Sequence, residues 1–175
     1  DYSTDYGLLI AVVLSAQTTD KSVNKVTPIL FNKFPTLNDL ANADVLEIEK
    51  CIRQIGLYHN KAKNIKEIAY CLINNFNGKV PDNKKMLLTL PGVGNKTANV
   101  VLCELFNQNE FPVDTHVERL AKRLRFAKEN DDVLLVEKKL RRAFPSDSYI
   151  LLHHQFIHFG RYYCTSRNPH CDGCK

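Results

Sequence analysis

What this 175-residue chain lacks narrows its class before any motif is considered. No apolar run approaches the roughly 18 residues that a membrane-spanning helix needs, so no membrane partner is expected. No stretch alternates apolar and polar residues with the period of a strand, which excludes an all-β or α/β reading. There is no internal repeat and no low-complexity linker, so solenoids and disordered arrays fall away. No signal peptide precedes the first helix, although the abrupt start at Asp1-Tyr2-Ser3 reads as trimming and makes that absence uninformative. A strong charge bias is missing too. With 24 Lys and Arg against 19 Asp and Glu, the net charge is +5, compatible with a polyanionic partner without demanding one.

What remains is helical periodicity almost everywhere, and the length suffices for one large domain or two small lobes. Leu8, Leu9, Val12 and Val13 recur at helix spacing, and Ser15 to Asp20 breaks the run. Thr19 or Asp20 can cap a helix carrying Val23, Val26, Ile29, Leu30 and Phe34, and Asn42 can cap one holding Val45, Leu46, Ile48 and Ile52. A helix from about Asn60 to Phe76 presents Ile65, Ile68, Ala69, Leu72 and Ile73 on one face, and Asn77-Gly78 suits a left-handed terminus. A short helix Lys84 to Leu88, a longer one Asn95 to Phe106, and three over 114–126, 131–143 and 147–160 complete the pattern. The expected fold is all-α. Residues 107–113 form the least compact stretch, which predicts lobes at 1–108 and 109–175.

Leu90-Pro-Gly-Val-Gly-Asn-Lys96 sits between two predicted helices. Glycine at 92 and 94 removes the Cβ atoms that would keep the backbone away from an anion, and the following helix brings its positive dipole end to the same spot. Such a helix–hairpin–helix grips a DNA backbone without reading bases, with Gly92, Val93, Gly94 and Asn95 as contacts. A plain Pro-Gly connector is the bland alternative. Lys96 falls in the first turn of that helix, where the dipole disfavours a cation, one route to a nucleophilic amine near neutral pH. A solvated surface lysine is the commoner fate. Asp114 opens Asp-Thr-His-Val, an N-cap sequence, and a carboxylate accepting helix N–H bonds is favoured in its charged form. Beside Lys96 it would oppose the dipole; which effect prevails is open.

Six cysteines sort into two groups. Cys51, Cys71 and Cys103 lie singly in apolar helical patterns and read as small buried hydrophobes. Cys164, Cys171 and Cys174 cluster as Cys-x6-Cys-x2-Cys, which reads as metal ligation in a reducing, intracellular compartment, whether bacterial cytoplasm or eukaryotic nucleus or organelle. His154 and His158, four apart, lack a third ligand, so packing with satisfied hydrogen bonds is expected for them. Arg119, Lys122, Arg123 and Arg125 form a basic group that is either a DNA-facing patch or a solvated helix face.

Together these segments resemble the helix–hairpin–helix (HhH-GPD) DNA glycosylases, and within them the endonuclease III branch. The resemblance rests on Leu90 to Val101, Val113-Asp-Thr-His116, Leu14 to Asp20, Ile55-Gly-Leu-Tyr58, His158-Phe-Gly-Arg-Tyr162 and the terminal cysteines, in the same order from end to end. Lys96 argues against the sister branch that excises adenine opposite oxidised guanine. The cysteine cluster argues against the oxidised-guanine glycosylases.

The resemblance implies two helical lobes with the active-site cleft between them, and a monomeric base-excision enzyme acting on double-stranded DNA with a damaged pyrimidine or abasic site. Lys96 would attack C1′ as the base leaves, giving a Schiff base that permits β-elimination, and Asp114 would stabilise the developing sugar cation. Gln17 would fill the space the flipped nucleotide vacates, Leu57 would wedge into the opposite strand, and His116 would line the damaged-base pocket. Gln17 and Leu57 taken alone read as a loop polar residue and a helix-end contact. The resemblance also implies a [4Fe–4S] cluster on Cys164, Cys171 and Cys174, with a fourth cysteine near position 180, and an additional N-terminal helix; both ends are expected to be truncated. Zinc completed by His170 is the alternative. The loop after Cys164, basic in the family, offers Arg167 and His170. A non-catalytic DNA-binding module and a helical scaffold with a zinc knob are competing readings, and neither needs the Lys96–Asp114 pair.

Overall fold

A computed structural model describes residues 3–174. Among them are ten α-helices and no strand. The chain divides into two compact units, Asp1–Phe106 and Asn107–Lys175, each with its own core.

The first unit holds α1 (Asp5–Ser15), α2 (Asp20–Lys33), α3 (Leu37–Asn42), α4 (Val45–Ile52), α5 (Tyr58–Phe76), α6 (Lys84–Leu87) and α7 (Asn95–Phe106). Their starts follow capping chemistry. Thr4, Thr19, Asp44 and Asn83 accept helix N–H groups, and Thr36 and Asp39 form a reciprocal capping box. That box opens α3, which the sequence reading passed over. Asn42, expected to cap the next helix, is instead the last residue of α3, and Asp44 caps α4. At the far end of α5 both Asn77 (φ 52°) and Gly78 (φ +74°) are left-handed. The core is Leu9, Ile10, Val13 and Leu14 of α1 against Leu30, Ile52, Ile65, Ile68, Leu72 and Leu102. α5 is the hub and packs on α1, α3 and α4. Burying such side chains contributes about 1.5–3 kcal/mol each, offset largely by chain entropy. Cys51 is buried here as expected, whereas Cys71 and Cys103 are only half-buried.

The second unit holds α8 (Thr115–Arg123), α9 (Val133–Ala143) and α10 (Tyr149–Tyr162), the last preceded by a 3-10 turn at Ser146–Ser148. Asp114 and Asp132 cap α8 and α9. Phe111, Val117, Leu120, Val136, Leu140 and Phe156 form its core. The histidine expectation was off by one residue. His153 is the buried one, its Nδ1 2.7 Å from the Pro112 carbonyl, while His154 and His158 face solvent. No helix among the described residues is long and apolar enough to cross a membrane.

Candidate functional site

In the first unit the hairpin forms between α6 and α7. The Val93 N–H donates to the Leu90 carbonyl at 3.2 Å, and the Ala98 N–H reaches back to the Gly94 carbonyl at 2.9 Å, so α7 begins straight out of the turn. The two glycines differ in what demands them. Gly92 has φ +73°, and a Cβ there would come within 2.5 Å of the Asn64 amide nitrogen on α5. The fold itself therefore requires Gly92. Gly94 is exposed and a Cβ on it would meet nothing within 4 Å, so the chain's own packing makes no demand for glycine there. Lys96 is exposed in the first turn of α7, where the leading N–H groups of a helix have no intrahelical acceptor. Asn95 beside it is half-buried.

Gln17 and Leu57 share an unusual backbone. Both are exposed, with φ 53° and 59°. A side chain in the left-handed region costs roughly 1–2 kcal/mol. Leu57 is the N-cap of α5, makes no side-chain capping bond, and leaves 58% of its surface exposed. Holding a leucine in a strained conformation in order to expose it is not explained by core packing.

The sequence reading did not single out what fixes these loops. Lys61, one turn into α5, is 5% exposed; its Nζ donates to the Leu14 carbonyl at 3.0 Å and to Thr18 Oγ1 at 2.6 Å. Burial lowers its pKa from the ordinary lysine value. The visible signal was a lysine in register with the apolar stripe of Ile65, Ile68 and Leu72. Asn64, one turn further along α5, is the side chain that abuts Gly92.

In the second unit Asp114 is half-buried, and one carboxylate oxygen accepts the His116 and Val117 N–H groups, both at 2.9 Å. Its other oxygen makes neither of these bonds. His116, two residues on, is half-buried, and a Cβ at Gly160 of α10 would sit 3.2 Å from it. Glycine at 160 thus lets α8 and α10 cross closely.

Three members of the basic group make hydrogen bonds within this unit, while Arg123 and Arg125 stay exposed. Arg119 Nη2 donates to the carbonyls of Gly160 (2.8 Å) and Cys164 (3.0 Å). Arg123 donates to the Thr165 carbonyl at 2.6 Å, the Ser166 carbonyl at 2.9 Å and Cys164 Sγ at 3.3 Å. Lys122 is paired with Glu118 at 2.6 Å. Two of the four cations therefore hold the end of α10 and the cysteine loop. Their partners lie 41 to 45 positions away, beyond the reach of local pattern.

Cys164 is half-buried, whereas Cys171 and Cys174 are exposed and border a cavity of about 930 Å³ shared with Phe159, Tyr163 and His170. Among the described residues no three metal-ligating side chains are gathered around one point. The donor chemistry nonetheless suits an iron–sulfur cluster: three free thiols lie on one loop, two of them at the cavity and the third, Cys164, receiving a guanidinium N–H. Arg167 is exposed on the same loop.

A helical fold with a glycine hairpin, an exposed lysine at the following helix start and a capping aspartate defines the class of helix–hairpin–helix DNA repair proteins. Residues 10–146 match the model of the HhH-GPD superfamily base excision DNA repair proteins. Endonuclease III of Bacillus subtilis (strain 168) is 44% identical over 173 residues, 99% of this chain and 79% of that protein. A trapped endonuclease III–DNA covalent intermediate in an estranged-adenine complex superposes with a TM-score of 0.94 at 48% identity, covering 99% of this chain and 82% of the other. A non-covalent endonuclease III–DNA complex gives 0.94 and 48%, covering 99% and 81%. The chain belongs to the endonuclease III family of HhH-GPD base excision DNA repair enzymes.

Proposed function

We propose that this chain excises oxidised pyrimidines from duplex DNA and then cleaves the abasic strand, with Lys96 as nucleophile and Asp114 as the carboxylate that serves it. The observation that carries the reading is Lys96 exposed in the first turn of α7, next to a Gly94 that the chain's own packing does not require. A bare backbone at Gly94 lets a phosphate approach the N–H groups of the α7 start. In that position the Lys96 amine meets a sugar whose phosphates the hairpin has already fixed.

The neutral amine adds to C1′ while the glycosidic bond breaks and the base departs with its electron pair. Opening of the sugar ring gives a protonated imine. Loss of a 2′ proton then expels the 3′ phosphate by β-elimination. Asp114, with one oxygen committed to the α8 N–H groups, is held in place with charge to offer the cation that develops on the sugar. Extruding the base costs a few kcal/mol, less for a damaged one. Exposed Gln17 and Leu57 are suited to occupy the opened stack, and half-buried His116 to border the base. The lobe boundary of this reading is the division after Phe106.

Cys164, Cys171 and Cys174 would supply three ligands of a [4Fe–4S] cluster. Their thiolate coordination would tie down the loop that carries Arg167, and the chain's own contribution is the Arg119 and Arg123 hydrogen bonding that holds the loop's first cysteine. An intracellular location follows from chromosomal DNA as substrate and from the free thiols.

Borohydride trapping on a duplex carrying one thymine glycol tests this reading. Wild type should form a covalent adduct and Lys96→Ala none. An adduct that persists in Lys96→Ala would remove Lys96 from the mechanism.

A further inference from the structure

A buried lysine is an expensive way to fill a helical face. Lys61 occupies a position where a methionine of similar length would pack without desolvating a charge. Its ammonium instead reaches across from α5 to two acceptors on one short segment: the Leu14 carbonyl in the last turn of α1, and the Thr18 hydroxyl. Thr18 is itself closed onto that segment, its N–H donating to the Ser15 carbonyl at 3.1 Å and its hydroxyl to the Ala16 carbonyl at 3.3 Å. Gln17, at φ 53°, is the residue this turn presents to solvent. At its backbone end Lys61 donates to the carbonyl of Leu57, the other exposed left-handed residue, at 3.0 Å. One residue therefore bonds to the turn that carries Gln17 and to the helix cap that is Leu57.

We infer that Lys61 is a positioning residue that locks the Gln17 turn and the Leu57 cap into one rigid unit, so that both side chains enter the DNA together. This rests on the reading of Gln17 and Leu57 as the residues that fill the opened duplex. Neither side chain touches Lys61 through its own functional end; the coupling runs through backbone carbonyls and one hydroxyl. Among the described residues the ammonium pairs with no carboxylate, so its value lies in geometry rather than in ion pairing.

The test is a double-mutant cycle on single-turnover excision from a thymine glycol duplex, with thermal unfolding followed in parallel. Lys61→Met keeps the volume and removes the donor. Thr18→Val removes the 2.6 Å acceptor and leaves the buried charge one partner short, so it should unfold earlier than wild type, whereas Lys61→Met removes the charge as well and guards against a variant that fails to fold. Each should slow excision by about 10-fold, and combining Lys61→Met with Gln17→Ala should be little slower than the worse single variant, because coupled residues are non-additive. Unfolding of Lys61→Met should occur at or above the wild-type temperature. Wild-type excision rates in both Lys61→Met and Thr18→Val would overturn the inference, as would losses that multiply in the double variant. If Gln17→Ala and Leu57→Ala themselves excise at the wild-type rate, the duplex-filling reading fails; if only they are slow, Lys61 alone is wrongly assigned.

Discussion

The two units use polar side chains in opposite ways. In the first, buried or half-buried groups on α5 brace loops from behind, Lys61 under the Gln17 turn and Asn64 against Gly92, and leave Gln17, Leu57, Gly94 and Lys96 exposed. In the second, three of the cations that would suit a DNA surface are engaged by the protein itself, with Arg119 and Arg123 bonded to the cysteine loop and Lys122 to Glu118. A count of basic residues thus says little about where a polyanion is gripped. In the proposed reading the first unit grips through backbone amides and the helix dipole, which carry no formal charge.

That contrast can be broken at several points. The largest effect should come from Asp114→Asn. Asparagine caps a helix nearly as well as aspartate, so unfolding should shift little, while excision should fall by about 10²–10³-fold if the charge acts on the reacting sugar. A large drop in stability with modest loss of excision would reduce Asp114 to a cap. Next, Arg119→Ala should cost about 2 kcal/mol, because two carbonyls lose a charged donor, and should lower the iron content that the proposed cluster predicts. Iron analysis and chemical denaturation report both, and retained iron with unchanged stability would show that the loop-bonded arginines are dispensable.

Within the hairpin of the first unit, a glycine pair separates what the fold requires from what a ligand would require. Gly94→Ala should leave unfolding unchanged and weaken duplex binding by about 10-fold, or 1.4 kcal/mol. Gly92→Ala should destabilise the chain by about 1 kcal/mol through its left-handed φ and the displaced Asn64. Equal behaviour of the two would erase the distinction between fold-required and ligand-required glycine. The smallest effect concerns Asp131, whose carboxyl is held below the usual aspartate range by hydrogen bonds from Lys139 and the Lys128 N–H. A lowered carboxylate pKa gives stability that is present above the ordinary value and lost as pH falls through the folded one. Asp131→Asn should therefore unfold slightly earlier than wild type at neutral pH, and the gap should close in strong acid.

Much of this was readable in the chain. Helix period and cap residues gave the order of the long helices, and Thr19 was correctly offered as a cap of α2. The Thr36–Asp39 box was equally visible, yet α3 spans six residues, too few for an apolar period to declare itself. The histidine error has a similar root: adjacent helix positions differ by about 100° in direction, so apolar neighbours do not fix which of two consecutive histidines faces inward. The places of Lys96 at the start of α7 and of Asp114 as the cap of α8 were legible because their motifs are contiguous. Lys61, Arg119 and Arg123 were not, since what they do depends on acceptors more than 40 residues away.

The left-handed leucine and glutamine have a consequence for selection. Glycine at 17 or 57 would relax the backbone where each side chain now holds it in an unfavoured region. A library screened for heat tolerance alone should therefore collect glycine at these two positions, and a library screened for survival of oxidative DNA damage should discard the same variants. On the proposed reading, robustness and repair pull on the same two residues from opposite sides.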